Sequence, residues 1–235
     1  MTERVLQINF QELSTKEPLT LAYAIFENLS ISRNFEILKP IEVTSFKELR
    51  EKFTLENVKA DPLIRAYRDF FWRQGIDPTK IRPAAEALIR RILAGKNLWQ
   101  INTFVNAYNI ASALTGITLG AYDLAKIDLG QNRQLVVRNP FPNEEFLGIG
   151  MDKAMMLKTN QIVVTDKKAP IAIYPYRDAD RTKINLATKR ALILAYGVQG
   201  ISIDVLKKSL DKTGEIFEKL KIGARSQIRV VQSDV

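Results

Sequence analysis

Between Pro62 and Thr115 the apolar residues recur at helical spacing in three successive segments. From Gln134 to Gly197 they fall instead into four short runs, QLVVRN, QIVVTD, PIAIYPY and RALILAYG. Turn formers such as Asn139-Pro140, Pro142-Asn143 and Asp166-Lys167 part these runs. Helices gathered in one stretch and strands in another exclude the regular βαβ alternation of a doubly wound sheet. The expected class is therefore α+β, with a mixed or antiparallel sheet and flanking helices. Two early strands, VLQINF and LTLAYAIF, precede the helices, and a last helix near 203–221 and a last strand, SQIRVVQ, close the chain.

Local chemistry sharpens some boundaries. SFKELREKF predicts a helix capped by Ser45, with Phe46, Leu49 and Phe53 inward. Asp61-Pro62 is a strong start signal, since Asp accepts the free amides of the first turn and Pro lacks only a hydrogen that would go unused there. A further helix starts at Pro83 and stops at Gly95. GIGMD carries a lone G-x-G without the third glycine or a following helix, and reads as a turn. Residues 1–60 read as an N-terminal extension packed on a domain formed by 61–235, the whole making one structural unit.

The third helix, near 101–115, carries Asn102, Asn106 and Asn109 at i, i+4 and i+7, within about 60° of one another on the helix surface. Asparagine competes for backbone hydrogen bonds and is a poor interior helix residue. Either Asn102 caps the helix and the others bind nearby loops, or the three line a polar cleft.

The chain has 235 residues, 46% of them hydrophobic, enough for a full core. It has no apolar run of the roughly 18 residues that cross a bilayer, and MTERVLQINF does not look like a signal peptide. A cytoplasmic protein without membrane attachment is expected. With neither His nor Cys, a Ser-His-Asp triad, a thiolate nucleophile and a conventional zinc site are excluded. No metal and no cofactor is expected.

Of the net charge of +9, two segments carry the excess. Residues 65–96 hold 8 Lys+Arg against 3 Asp+Glu, and residues 177–225 hold 11 against 6. Concentrated positive charge attracts polyanions, although a generic basic surface serves solubility equally well. Within the second segment, YRDADRT packs charges of both signs. While it stays extended, Arg177, Ala179 and Arg181 point one way and Asp178, Asp180 and Thr182 the other. Such a cluster either contacts an anionic and aminated ligand or forms an internal ion-pair network that fixes a turn. The neighbouring arginines argue against a magnesium site on the two aspartates.

INTFVNAYNIASALTGITLGAYDLAKI, residues 101–127, resembles the B3/B4 domain of the phenylalanyl-tRNA synthetase β subunit. The matches are Ile101, Asn102, Val105, Asn109, Gly116, Leu119, Ala121, Tyr122, Asp123, Lys126 and Ile127. The flanking segments, from Asp61 to Gly197, are similar to freestanding B3/B4 proteins. The resemblance implies a B3/B4-like editing fold that binds the aminoacylated 3′ end of tRNA and hydrolyses wrongly attached amino acid, typically tyrosine, by a positioned water. It departs from the pattern at Gly120, where the family has histidine, and the glutamate that follows the last core strand in the synthetase is missing. A non-catalytic module that binds tRNA or an amino acid is the alternative.

On that reading Asn106, Asp123, Asp178 and Arg181 are the catalytic candidates. Asn102, Asn109, Gly120, Tyr122, Arg177, Asp180 and Thr182 would bind substrate, and Arg65, Arg68, Arg90 and Arg91 would bind RNA.

Overall fold

The computed structural model describes residues 6–233. Two sheets share one continuous core. The first is ordered β1 (Gln7–Phe10), β4 (Gln134–Arg138), β7 (Val163–Thr165), β8 (Pro170–Ile173) and β9 (Arg177–Asp178), with only the β1–β4 pair parallel. The second is antiparallel and ordered β11 (Ala224–Arg225), β2 (Thr20–Glu27), β10 (Ala191–Gly197) and β3 (Leu119–Asp123), with β12 (Arg229–Gln232) also on β2. A small hairpin, β5 (Glu145–Phe146) with β6 (Met155–Met156), stands apart. The class is α+β with mixed and antiparallel sheets, as the segregated periodicities predict.

Residues 7–27 are woven into the fold as well as packed on it, because β1 extends the first sheet and β2 is an interior strand of the second. Every residue of β10, ALILAYG, is buried. This explains why it reads as a continuous apolar run instead of an alternating one. Over the second sheet lie α4 (Thr103–Thr115) and α5 (Ile203–Lys219), locked by Phe26, Phe104 and Phe217 with ring centroids 4.6–6.5 Å apart.

The helix signals meet mixed fates. Asp61 Oδ1 accepts the amides of Leu63 and Ile64 at 3.0 and 3.3 Å and starts α2 (Pro62–Arg73). Pro83 caps α3 (Ala84–Leu93), and Gly95 follows it with φ +74°. Ser45, expected as a cap, lies buried inside α1 (Lys39–Lys52). That helix begins six residues earlier, where Pro40 occupies the first turn and a 3-10 turn over Phe35–Leu38 feeds it. Among the described residues no helix is long and apolar enough to cross a membrane.

Candidate functional site

Strand period places Gly120 and Tyr122 on one face of β3, opposite Leu194 and Leu192 of β10. With no side chain at 120, the Tyr122 ring lies back over that position. A Cβ there would overlap the Tyr122 hydroxyl and stand 2.9 Å from Asp178 Oδ1. The Tyr122 hydroxyl donates to Asp178, and the Tyr196 hydroxyl lies 2.5 Å from that of Tyr122. While Asp178 is ionised, Tyr122 donates its one proton to the carboxylate, so Tyr196 donates into Tyr122. The result is a relay of two phenols ending on a carboxylate.

The surroundings hold this relay rigidly. Tyr67 from α2 donates to the Tyr196 carbonyl at 2.5 Å and accepts from the Thr118 amide at 3.1 Å. Tyr174 donates to the carbonyls of Gly197 and Thr20 at 2.5 and 2.9 Å, and its ring meets that of Tyr196 edge-on. On one side of β9, Ala172 of β8 faces Asp178. On the other, the Ile149 amide donates to the Asp178 carbonyl and the Asp180 amide to the Leu147 carbonyl, each at 2.9 Å.

Asp178 stays partly exposed at a cleft of about 80 Å³, whose walls include Ala84, Thr118, Leu119, Tyr176 and Arg177. Burial pushes its carboxyl up to about 7, against the partial opposition of the Tyr122 phenol and the Ala121 amide. Among the described residues no cation pairs with it. Burial likewise raises Tyr108, Tyr122, Tyr174 and Tyr196, so they remain protonated phenols, and the charge of Asp178 adds to the rise at Tyr108, Tyr122 and Tyr196. A carboxyl that exchanges its proton near neutral pH, at the floor of a cleft, suits acid–base work.

Of the residues singled out in the sequence, Gly120, Tyr122, Arg177 and Asp178 come together here. The others have different tasks. Asn102 caps α4 by accepting the Val105 amide at 2.9 Å. Asn106 is buried and accepts the Ile101 amide at 3.1 Å, leaving its Nδ2 without a partner. Asn109 is half-buried on the next turn and lines none of the cleft around Asp178. The asparagine line thus serves mainly the start of its helix. Asp123 is buried and accepts from the Ala125 amide at 3.1 Å and the Thr188 hydroxyl at 2.8 Å, which fixes the turn after β3.

Arg181 grips Asp166 with two bonds of 2.8 and 3.0 Å and also the Ala169 carbonyl. Asp180 pairs with Lys183, and Thr182 is fully buried. These three form the internal network that fixes a turn, while Arg177 reaches the Ile149 carbonyl at the cleft mouth.

The basic residues also divide. Arg68 and Arg90 converge on the fully buried Glu86 at 3.0 and 2.8 Å and pin α2 to α3, so they are structural ion-pair partners and not free phosphate ligands. Arg91 stacks on the exposed Trp99 ring at 4.0 Å, and Arg65 is exposed beside Asp69. Sequence reasoning did not single out Tyr196, which lines the Asp178 cleft and bonds to Tyr122. The available signal was tyrosine inside buried apolar runs, where each hydroxyl must find a polar partner.

A family model described as the B3/4 domain matches residues 66–221. The fold is similar to the crystal structure of an N-terminal fragment of the phenylalanyl-tRNA synthetase β subunit from Pyrococcus horikoshii. The TM-score is 0.50 at 10% identity, over 98% of this chain and 55% of that one. No match is found among curated proteins.

Proposed function

The chain belongs to the B3/4 domain family, and from that premise we propose that it binds the aminoacylated 3′ end of tRNA and hydrolyses the ester between amino acid and ribose. The observation that carries this reading is Asp178, a carboxyl titrating at about 7 beside a cleft of about 80 Å³. Such a space has room for a water beside the carboxyl, and the site therefore supports a water-activating role.

The chemistry needs no covalent enzyme intermediate. Asp178 accepts a proton as a water in the cleft attacks the ester carbonyl carbon. The bond from that carbon to the ribose oxygen breaks, and the proton held on Asp178 returns to the departing oxygen. The Tyr196–Tyr122 relay holds the carboxylate in one orientation, which favours a single attack geometry. Arg177 at the mouth and the overall charge of +9 favour the phosphates of a single-stranded end.

Single-turnover deacylation of a panel of mischarged tRNAs tests the proposal. The wild-type rate should rise with pH through an inflection near 7, where Asp178 ionises. Asp178→Asn should fall by about 10²–10⁴-fold with the fold intact, on the scale of losing one general base. Binding without hydrolysis above the buffer rate would leave a non-catalytic module, the reading that Gly120 favours. Equal rates in the two proteins would clear Asp178.

A further inference from the structure

The outer face of the first sheet carries a second built feature. Along β4, Leu135 and Val137 are buried in the core, so Gln134, Val136 and Arg138 face the other way, into a cavity of about 350 Å³. Beside them, Gln11 follows β1, Asn132 comes from the preceding loop, and Lys167 and Lys168 come from the turn after β7. The amide side chains of Gln11, Asn132 and Gln134 have no hydrogen-bond partner among the described residues, and neither lysine has an ion-pair partner there.

One wall is a prepared aromatic platform. Arg138 is buried, makes a bidentate pair with Glu144 at 2.7 and 2.8 Å, and lies 3.8 Å from the centre of the Phe141 ring. The Phe141 amide also donates to Glu144 at 2.9 Å. The ring is 61% exposed yet held in place by groups that are themselves fixed. It can therefore accept a flat partner at little cost in ordering. Lys167 is held as well, since its methylene stem crosses Gly130 where a Cβ would overlap it.

We propose that this cavity binds one nucleotide unit of a single RNA strand, with the base stacked on Phe141, its edge met by the free amides, and its phosphate met by Lys167 and Lys168. Each part has its match. Amides offer the paired donor and acceptor that base edges require, exposed rings stack on any base, and unpaired lysines take phosphate. A lipid or an acidic peptide would use the lysines but leave three amides and a fixed ring without a role. The proposal does not depend on hydrolysis at Asp178.

The test is equilibrium binding of AMP, CMP and a labelled RNA tetranucleotide to the full chain, with inorganic pyrophosphate as the competitor. Phe141→Ala should weaken tetranucleotide binding about 10-fold, the scale of one lost stack. Lys167→Ala with Lys168→Ala should reduce the slope of log K against log salt by about 0.7, for one neutralised phosphate on a single strand. These measurements use uncharged RNA, so their outcome does not depend on whether mischarged tRNA is hydrolysed, which separates this site from the proposed hydrolysis. Tetranucleotide binding tighter than that of either mononucleotide supports a strand. Equal affinities with the same dependence on Phe141 support the nucleotide site with free nucleotide as its source and overturn the strand. Absence of binding, insensitivity to Phe141→Ala, or equal competition by pyrophosphate overturns the site.

Discussion

Asp166, in the turn between β7 and β8, and Asp178, the last residue of β9, sit twelve residues apart in the sequence, and their carboxyls shift in opposite directions. Burial would push Asp166 up, but the Arg181 guanidinium and the amides of Ala169, Asp128 and Lys168 outweigh it and hold the carboxyl below its ordinary value. Asp178 receives one phenol and one amide, and burial wins. The difference teaches that burial raises a carboxyl only where the donors around it do not outweigh the loss of water.

Stability measurements give this contrast its sharpest test. Asp166→Asn leaves Arg181 without its counter-charge and should cost about 2–4 kcal/mol at pH 7, somewhat below the loss of a fully buried partner, since 32% of the Arg181 side chain meets water. Asp178→Asn should act the other way. Its folded carboxyl titrates at about 7 against an ordinary value of 3.8. Between those pH values the folded protein keeps a proton that the unfolded chain has released. The stabilisation is complete below about pH 4 and is lost as pH rises through about 7. At pH 8 the Asn variant should therefore exceed the wild type by an amount on the order of 4 kcal/mol, and at pH 4 the two should coincide. Denaturation curves at four pH values would show this, and parallel curves throughout would break the contrast.

The fold was legible where local chemistry and tertiary need agree. Asp61-Pro62 starts a helix through bonds within three residues, and the apolar run of β10 announces a buried strand, although its partners β2 and β3 are distant in the sequence. Ser45 misled because a capping residue type says nothing about whether a better start, Pro40, lies upstream. The site was legible in part. YRDADRT drew attention to the segment that carries Asp178, but the sequence could not say that Arg181 would find Asp166 while Asp178 would find Tyr122, since both partners lie outside it. The same limit applies to Asp123, satisfied by Thr188 from 65 residues away. The asparagine line was real at helical spacing, yet spacing alone cannot distinguish a cap from a cleft wall, and Asn102 proved to be the cap.

A second way to sharpen the contrast is to crowd Asp178. Gly120→Ala places a methyl where the Tyr122 hydroxyl stands and 2.9 Å from the carboxylate. Overpacking of this kind should cost about 1–3 kcal/mol. If the penalty comes from the phenol, Tyr122→Phe should relieve part of it, giving a coupling of at least about 0.5 kcal/mol in a double-mutant cycle. Strict additivity would mean that the two groups do not share the space the structure gives them.

The smallest expected effect tests the relay itself. Tyr196→Phe removes the hydroxyl that donates to Tyr122 and leaves the Tyr122 oxygen a buried acceptor without that donor. The stability cost should be about 1 kcal/mol, the net value of an ordinary intramolecular hydrogen bond. The more telling readout is Asp178. A phenol that accepts a hydrogen bond donates more strongly, because bonds in a chain polarise one another by roughly 10–30% each. Losing Tyr196 should therefore weaken the bond from Tyr122 to the carboxylate and move the Asp178 midpoint upward from about 7 by a few tenths of a pH unit. The equivalent change at Tyr174, which donates to backbone carbonyls and not to the relay, should lower stability without moving that midpoint. A carboxyl-carbon NMR titration resolves both effects. A midpoint that falls in Tyr196→Phe would mean that Tyr196 acts on Asp178 mainly by excluding water and not by donating through Tyr122.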